Sequence, residues 1–318
     1  MNFTLTLSAI EMKNISLLTT FVILFSAFSF SDVRAQSPGA IDTAVADNNS
    51  ILVLPIVYFT PETRWAGGVA VVDLFTMGGK SEKPTAQSSI QLGLIVTQEK
   101  QFLAYAPYQL FTPGNKYNIY GEVGYYVYSY LYFGEGNNST PENPDIYEVN
   151  FPRININAVT RVGKNWNAGL VFGYERHDIT SLERAPMLAS LRPNGVDGGT
   201  VLGLGPLIRY DSRDDVYYPH SGINFEAKTI TSLGRGAVNS VLPYYGFTRF
   251  TANFSNFTDL KKYGVLAINA FTENLAGDVP FFLSAFMGGP NRFRGYYFGR
   301  FRGNHFNVLA AEYRFPIV

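Results

Sequence analysis

His220 and Ser221 are the pair of side chains in this sequence that could perform hydrolytic chemistry. A serine nucleophile needs the histidine that takes its proton within hydrogen-bond reach. Adjacent residues on a strand or in a turn point apart, which argues against that geometry. The spacing from Pro219 to Gly222 is typical of a turn instead. We therefore expect no enzymatic activity from these residues.

Metal and cofactor chemistry has few candidates in this sequence. The 318 residues contain no cysteine, which excludes disulfides, thiolate ligands and thiol nucleophiles. Asp211, Asp214 and Asp215 lack the glycine and the distal glutamate that a Ca²⁺ loop has at fixed spacing, and the intervening Arg213 favours a salt-bridged turn. We predict no metal and no cofactor. The 25 basic and 25 acidic residues balance, so no net field draws the chain to nucleic acid.

The most specific segment is Gly-Gly-Pro-Asn-Arg-Phe-Arg-Gly-Tyr, at residues 288–296. If this loop folds back among other elements, Arg294 needs an acidic partner, and the glycines permit close backbone approach. Alternation places Glu312 on the same face as Arg314 and opposite Tyr313, so Glu312 is the candidate partner. The alternative is a solvated basic loop with no fixed geometry. Spacing alone favours neither.

The elements that must position these residues are strands. The composition includes 26 Phe, 21 Tyr and 30 Gly, and it favours strands and turns over helices. Between Trp166 and His177, apolar residues of one parity alternate with polar residues of the other, as expected for a strand between lipid and a wet lumen. A soluble β-sandwich is the alternative, but its strands usually have about five or six residues. The sequence predicts an all-β fold, a transmembrane antiparallel β-barrel.

The links between the predicted strands differ in length. The alternate links 60–63, 100–101, 134–146, 179–200, 234–242 and 275–304 include all the longest ones, whereas residues 113–115 and 163–164 form tight turns. Outer-membrane barrels have long outer loops and short periplasmic turns, so we expect the long links to face the cell exterior. We predict about 12 strands, at 51–59, 64–77, 88–99, 102–111, 117–133, 147–162, 165–178, 201–211, 222–233, 243–257, 263–274 and 305–317.

The N-terminal region has the features of a secretory signal. A basic start at Met12-Lys13 precedes an apolar run from Ile15 to Phe30, and Val33-Arg34-Ala35 is typical of a cleavage site. We predict a signal peptide at 1–35, with Met12 a better start than Met1, and a linker at 36–50. The apolar run is shorter than the ~20 residues of a membrane-spanning helix. The barrel is predicted to occupy 51–318.

Several of these segments resemble motifs of the BamA/TamA assembly-factor superfamily, also called bacterial surface antigen barrels. The strand Glu312-Tyr313-Arg314-Phe315-Pro316 is similar to the strand that follows loop six in that family, and residues 59–63 resemble its opening hairpin. The remaining matches are the loop-six motif at Gly288, Gly289, Phe293, Arg294, Gly295 and Tyr296 and the periplasmic turn at Asp211, Arg213, Asp214, Pro219 and Gly222.

The resemblance implies that Arg294 packs inside the barrel against Glu312. It also implies a barrel of about 16 strands with this loop before the twelfth, so the chain is expected to be C-terminally incomplete; a barrel of about 12 strands is the alternative. Full-length relatives carry periplasmic POTRA modules before the barrel. The linker at 36–50 cannot hold one, so we expect a short member without them.

The function that the resemblance implies is insertion or translocation of proteins at the outer membrane of a Gram-negative bacterium. The expected partners are outer-membrane lipid and unfolded outer-membrane proteins or other envelope components. A passive outer-membrane pore or a surface adhesin on the same barrel is the alternative.

Overall fold

A computed structural model describes residues 50–60, 62–78, 85–136, 139, 142–215, 218–234, 243–289, 292–293 and 295–315. The predicted signal peptide and nearly all of the predicted linker lie outside these residues. In the described part of the chain, no helix is long and apolar enough to cross a membrane.

The described residues form 14 strands and one short α-helix, α1, at Pro186–Leu191. Three single turns of 3₁₀ helix lie at Pro113–Asn115, Lys261–Tyr263 and Phe281–Leu283. The strands are β1 (Ser50–Thr60), β2 (Arg64–Phe75), β3 (Ser88–Thr97), β4 (Phe102–Phe111), β5 (Tyr117–Tyr132), β6 (Asp145–Arg161), β7 (Trp166–Arg184), β8 (Gly199–Asp211), β9 (Gly222–Ser232), β10 (Phe247–Asp259), β11 (Val265–Gly277), β12 (Ala285–Met287), β13 (Phe301–Gly303) and β14 (His305–Arg314).

Twelve of the described strands form one antiparallel sheet in which each strand pairs with its neighbour along the chain, from β1 to β11 and then β14. This confirms the predicted number of strands. The short strands β12 and β13 pair with each other inside the β11–β14 loop, which is residues 278–304. In the described part of the chain, β1 and β14 are the two edges of the sheet.

The largest boundary differences from the prediction are in β7 and β10, and two small elements were not predicted. β7 continues to Arg184, beyond the predicted end at 178, because it stays paired with β6 across an irregularity near Glu148. β10 begins at Phe247 rather than at 243. α1 and the β12–β13 pair lie within links that were predicted without structure. Both are too short to produce a periodic pattern in the sequence.

The two faces of the sheet have different chemistry. On β14, Leu309 is 77% exposed and Tyr313 is 52% exposed, whereas Phe306 on the other face is 5% exposed. An apolar side chain left exposed at alternate positions is what a strand facing acyl chains requires. The same outward pattern occurs on β7, β8 and β10, at Leu170, Leu204, Ile208, Phe250 and Phe254.

The inner face is filled at the end of the sheet that carries the long links. The 3₁₀ turn Phe281–Leu283 packs in one apolar cluster with residues of β5 and β6 and with residues of β10, β11 and β14. Leu188 of α1 belongs to the same cluster, and its backbone N–H donates to Asp145 Oδ2 at 2.7 Å. Strands distant in the sheet are therefore joined through the loops that fold between them.

Candidate functional site

The turn between β8 and β9, residues 212–221, is organised by Asp211. Its Oδ1 accepts a hydrogen bond from Arg213 Nε at 2.9 Å, and its Oδ2 accepts one from Arg213 Nη2 at 2.7 Å. Arg209 Nη2 lies 3.3 Å from the same Oδ2. The Asp211 carboxylate is thus held by two guanidinium groups. This is the salt-bridged turn that the position of Arg213 indicates in the sequence.

Asp214 organises the other half of the turn. Its Oδ1 accepts backbone N–H groups from Asp215 at 3.0 Å, His220 at 3.0 Å and Ser221 at 3.1 Å. The hydrogen bond from the Ser221 amide, followed by the others, holds the pKa of the Asp214 carboxyl below its ordinary value. His220 Nδ1 lies 3.7 Å from Asp214 Oδ2. In the described part of the chain, no hydrogen bond joins the His220 and Ser221 side chains.

Gly222 and Pro219 close this turn. Gly222 has φ +107°, and a Cβ at this position would lie 2.4 Å from the Ser212 carbonyl oxygen. Pro219 is buried, and its carbonyl oxygen accepts a hydrogen bond from Arg314 Nη1 at 3.4 Å. The turn therefore requires glycine, and it contacts the last described strand.

Arg314 connects the turn with Glu312. Its Nε donates to Glu312 Oε1 at 2.6 Å, and its guanidinium lies 5.3 Å from the ring centre of Tyr218. The β8–β9 turn motif and the strand motif that begins at Glu312, both identified in the sequence, therefore contact each other in the structure. Sequence reasoning missed this contact because the two residues lie almost a hundred positions apart.

In the glycine-rich motif of the β11–β14 loop, described residues are joined by backbone hydrogen bonds. Gly289 N donates to the Tyr296 carbonyl oxygen at 2.9 Å, and Tyr296 N donates to the Phe293 carbonyl oxygen at 3.3 Å. Gly288 has φ +118°, and a Cβ there would lie 1.9 Å from the Tyr297 carbonyl oxygen. Gly295 also has positive φ, at +95°.

Arg294 lies outside the described residues, so its pairing with Glu312 stays a prediction. Its neighbour Phe293 and Glu312 line one cavity of about 550 Å³. Arg292 stacks on Phe271, a buried residue of β11, with 3.3 Å between the guanidinium carbon and the ring centre. Arg292 and Phe293, the described residues just before Arg294, therefore lie against the inner face of the sheet.

Arg302, in the second Phe-Arg-Gly of the loop, is 4% exposed. Its Nη2 donates to the Leu131 carbonyl oxygen at 2.7 Å, and its Nη1 lies 3.5 Å from the Tyr147 hydroxyl. The guanidinium carbon also lies 4.5 Å from the ring centre of Phe286 and 5.2 Å from that of Tyr132. Sequence reasoning missed this anchor, although the repeated Phe-Arg-Gly was a usable signal.

A second charged network joins β5, β6 and β7 inside the barrel. Arg153 and Glu175 are directly opposed across β6 and β7, with Nε and Oε1 2.9 Å apart. Glu175 Oε2 lies 2.8 Å from His177 Nε2, and Glu122 Oε1 lies 3.7 Å from Arg153 Nη1. The His177 ring is stacked against Phe282 at 4.2 Å, which fixes the 3₁₀ turn of the loop over this network.

Arg249 on β10 also attaches the loop. Its Nη2 donates to the Leu283 carbonyl oxygen at 2.5 Å, and its Nε lies 3.3 Å from Glu273 Oε1 on β11. The described parts of the loop are thus attached at Arg249, Arg292 and Arg302.

A sheet of long antiparallel strands with an apolar outer face, a charged inner face and loops folded inside is that of a transmembrane β-barrel. A family model described as the Omp85 superfamily domain matches residues 108–318. The chain therefore belongs to the Omp85 superfamily. The match includes the β8–β9 turn, the β11–β14 loop and β14.

A solved structure supports the fold. The chain is similar to the crystal structure of BamA from Haemophilus ducreyi lacking POTRA domains 1-3, with a TM-score of 0.52 and 16% sequence identity. The similarity covers 79% of this chain and 47% of that chain, so this chain spans about half the length of the solved chain. No curated protein matches the sequence. The resemblance to a BamA/TamA-type barrel is confirmed by the family match and by this structural similarity.

Proposed function

We propose that this protein takes part in inserting proteins into the outer membrane of a Gram-negative bacterium, or in translocating them across it. The observation that carries the proposal is the Omp85 superfamily match over residues 108–318. Its partners would be the surrounding outer-membrane lipid and unfolded outer-membrane proteins or other envelope components. We propose no enzymatic role, because the His220 and Ser221 region has the contacts of a turn.

The filled interior favours this function over a passive pore. At the end with the long links, Phe281, Phe282 and Leu283 are all at most 8% exposed. They pack against residues of β5 and β6 and against residues of β10, β11 and β14. Ions need a continuous water-filled path. An apolar cluster across that path opposes steady conduction.

We also propose that Arg294 pairs with Glu312. Support comes from Phe293 and Glu312, which line the same cavity, and from the contact of Arg292 with the inner face of β11. Such a pair would fix the tip of the loop to β14.

Deletion of the gene in its native host tests the function. We expect the amounts of outer-membrane proteins to fall, measured by quantitative proteomics of purified outer membranes. Wild-type protein supplied in trans should restore these amounts. The His220→Ala variant should restore them equally, because the proposal gives that side chain no chemistry.

Conductance of the purified protein in planar lipid bilayers distinguishes this function from that of a passive pore. A large, steady conductance together with normal outer-membrane protein amounts in the deletion strain would contradict the proposal. That combination would establish a passive pore. Normal amounts without conductance would also contradict it and would favour a surface role such as adhesion.

A further inference from the structure

A polar cavity of about 710 Å³ lies on the inner face of the sheet. Ser89, Gln109 and Arg213 line it near the end with the short links, which we expect to face the periplasm. Arg249 and Glu273 line it further along, beneath the β11–β14 loop. The cavity therefore extends from the end with the short links to the loop, whereas the apolar cluster fills the interior at the long links.

Positive charge exceeds negative charge in the walls of this cavity. Among the described residues that line it, five are cationic and two are carboxylates. The cations are Arg209, Arg213, Lys228, Arg249 and Arg292, and the carboxylates are Glu226 and Glu273. An excess of charge of one sign in a recessed site concentrates ligands of the opposite charge.

The two carboxylates are already engaged with groups of the wall. Glu226 Oε2 accepts the Tyr120 hydroxyl at 2.8 Å, and Glu226 Oε1 lies 3.7 Å from Lys228 Nζ. Glu273 pairs with Arg249 at 3.3 Å. Arg209 and Arg213 share Asp211, which stands beside the cavity. These contacts hold four of the cations in place, although Arg209 and Arg213 share a single carboxylate, and they leave the fifth cation without a carboxylate partner.

Arg292 is that remaining cation. Its guanidinium stacks on the Phe271 ring, it is exposed to the cavity, and it forms no ion pair with any described residue. Stacking on a ring fixes the plane of a guanidinium and leaves its N–H edge free to bind an anion. The planar fork of arginine matches phosphate oxygens with two parallel hydrogen bonds.

The rest of the wall supplies neutral hydrogen-bonding groups. Amide side chains from five different strands line the cavity, together with hydroxyl groups of Ser89, Tyr108 and Thr251. The amides are Gln91, Gln109, Asn155, Asn224 and Asn253. Such groups suit the oxygens of a phosphate or of a polar group attached to it. An apolar ligand would offer them no hydrogen bonds.

We propose that this cavity binds a phosphate group, free or as a phosphate ester, with Arg292 as the principal anchor and Lys228 as a second cation. The ligand would enter from the end with the short links. The site is a property of the barrel interior, and it would exist whether or not the barrel inserts proteins.

Isothermal titration calorimetry of the purified full chain in detergent, in a buffer without phosphate, tests the site. The two probes are inorganic phosphate and glycerol phosphate, which carries a lipid headgroup phosphate without acyl chains. We expect saturable binding of at least one probe that weakens with added salt. The double variant Arg292→Gln, Lys228→Gln should bind at least tenfold more weakly, which is about 1.4 kcal/mol.

The double variant Lys261→Gln, Lys262→Gln is the matched control, because both lysines are exposed in a short link and neither lines the cavity. It removes the same two positive charges and should leave binding unchanged. Preference for glycerol phosphate would identify a headgroup-like ester as the ligand, and equal binding would identify the phosphate group alone; both support the site.

The proposal fails if neither probe binds the wild type, or if the folded double variant binds as tightly as the wild type. Folding is checked by the mobility of the unheated protein in a detergent gel. If the double variant does not fold, Arg292→Lys keeps the charge and removes the planar fork. Unchanged affinity in folded Arg292→Lys would then overturn the role of Arg292.

Discussion

Replacement of Arg302 by methionine should loosen the β11–β14 loop and destabilise the barrel. The guanidinium is 4% exposed and donates to the Leu131 carbonyl oxygen at 2.7 Å. A hydrogen bond to a charged group contributes about 1.5–3 kcal/mol, and a desolvated cation–π contact about 2 kcal/mol. Methionine fills a similar volume and removes the cost of burying the charge, so we expect a net loss of about 2–3 kcal/mol.

The temperature at which unheated protein loses its folded mobility in a detergent gel measures this loss. A change of about 2–3 kcal/mol should lower that temperature by roughly 5–10 °C. Protease sensitivity of the segment near Phe298 should rise at temperatures below the transition, because Arg302 anchors the loop. Arg302→Lys should give an intermediate value, since it keeps the charge but not the fork.

Arg192→Met is the control for removing an arginine. Its side chain is 58% exposed and pairs with Asp197 on the surface, and a surface pair of this kind contributes about 0–1 kcal/mol. Equal transition temperatures for Arg302→Met and Arg192→Met would refute the conclusion that Arg302 anchors the loop.

Three further predictions concern the turn and the loop tip. Gly222→Ala should lower the unfolding free energy by about 1–3 kcal/mol in a denaturant titration, because the position has φ +107° and no room for Cβ; Gly67→Ala, which has open space at Cβ, should cost less. The pKa of Asp214 is lowered in the folded state, so its contribution is present above its ordinary pKa and lost as pH falls through the folded value. The stability difference between wild type and Asp214→Asn should therefore shrink in acid unfolding curves; a constant difference would contradict this. Arg294→Ala should lower the gel-shift temperature if the pair with Glu312 forms. An unchanged temperature would contradict the proposed pair.

The strands could be predicted closely from the sequence because a barrel wall imposes alternation at each position. Trp166 and Leu170 are exposed on one face of β7, while Val171 and His177 are buried on the other. Lipid on one side and the interior on the other require this difference along the whole strand. The pattern is therefore local, and it can be read without knowing which strands are neighbours.

The contacts that fix the inner site are not local. Alternation along each strand places Arg153 and Glu175 on the inner face, but their pairing depends on the register of β6 against β7. A shift by one residue would place Glu175 on the other face. The position of Arg302 depends in turn on the ends of β5 and β6 and on the path of the loop. None of these distances follows from the spacing of residues in the chain.

The attachments of the loop determine what would oppose its release from the interior. Arg249, Arg292 and Arg302 hold the loop through carbonyl oxygens and aromatic rings. A carbonyl oxygen or a ring that loses a guanidinium is not left as an uncompensated charge, unlike the partner of a broken buried salt bridge. If the loop left the interior, water from the polar cavity would solvate the guanidinium groups of Arg292 and Arg302, whereas Arg249 would stay on β10 beside Glu273. The apolar contacts of Phe281 and Phe282 would then oppose opening more strongly than the arginines do, and variants of these two phenylalanines should change loop mobility most.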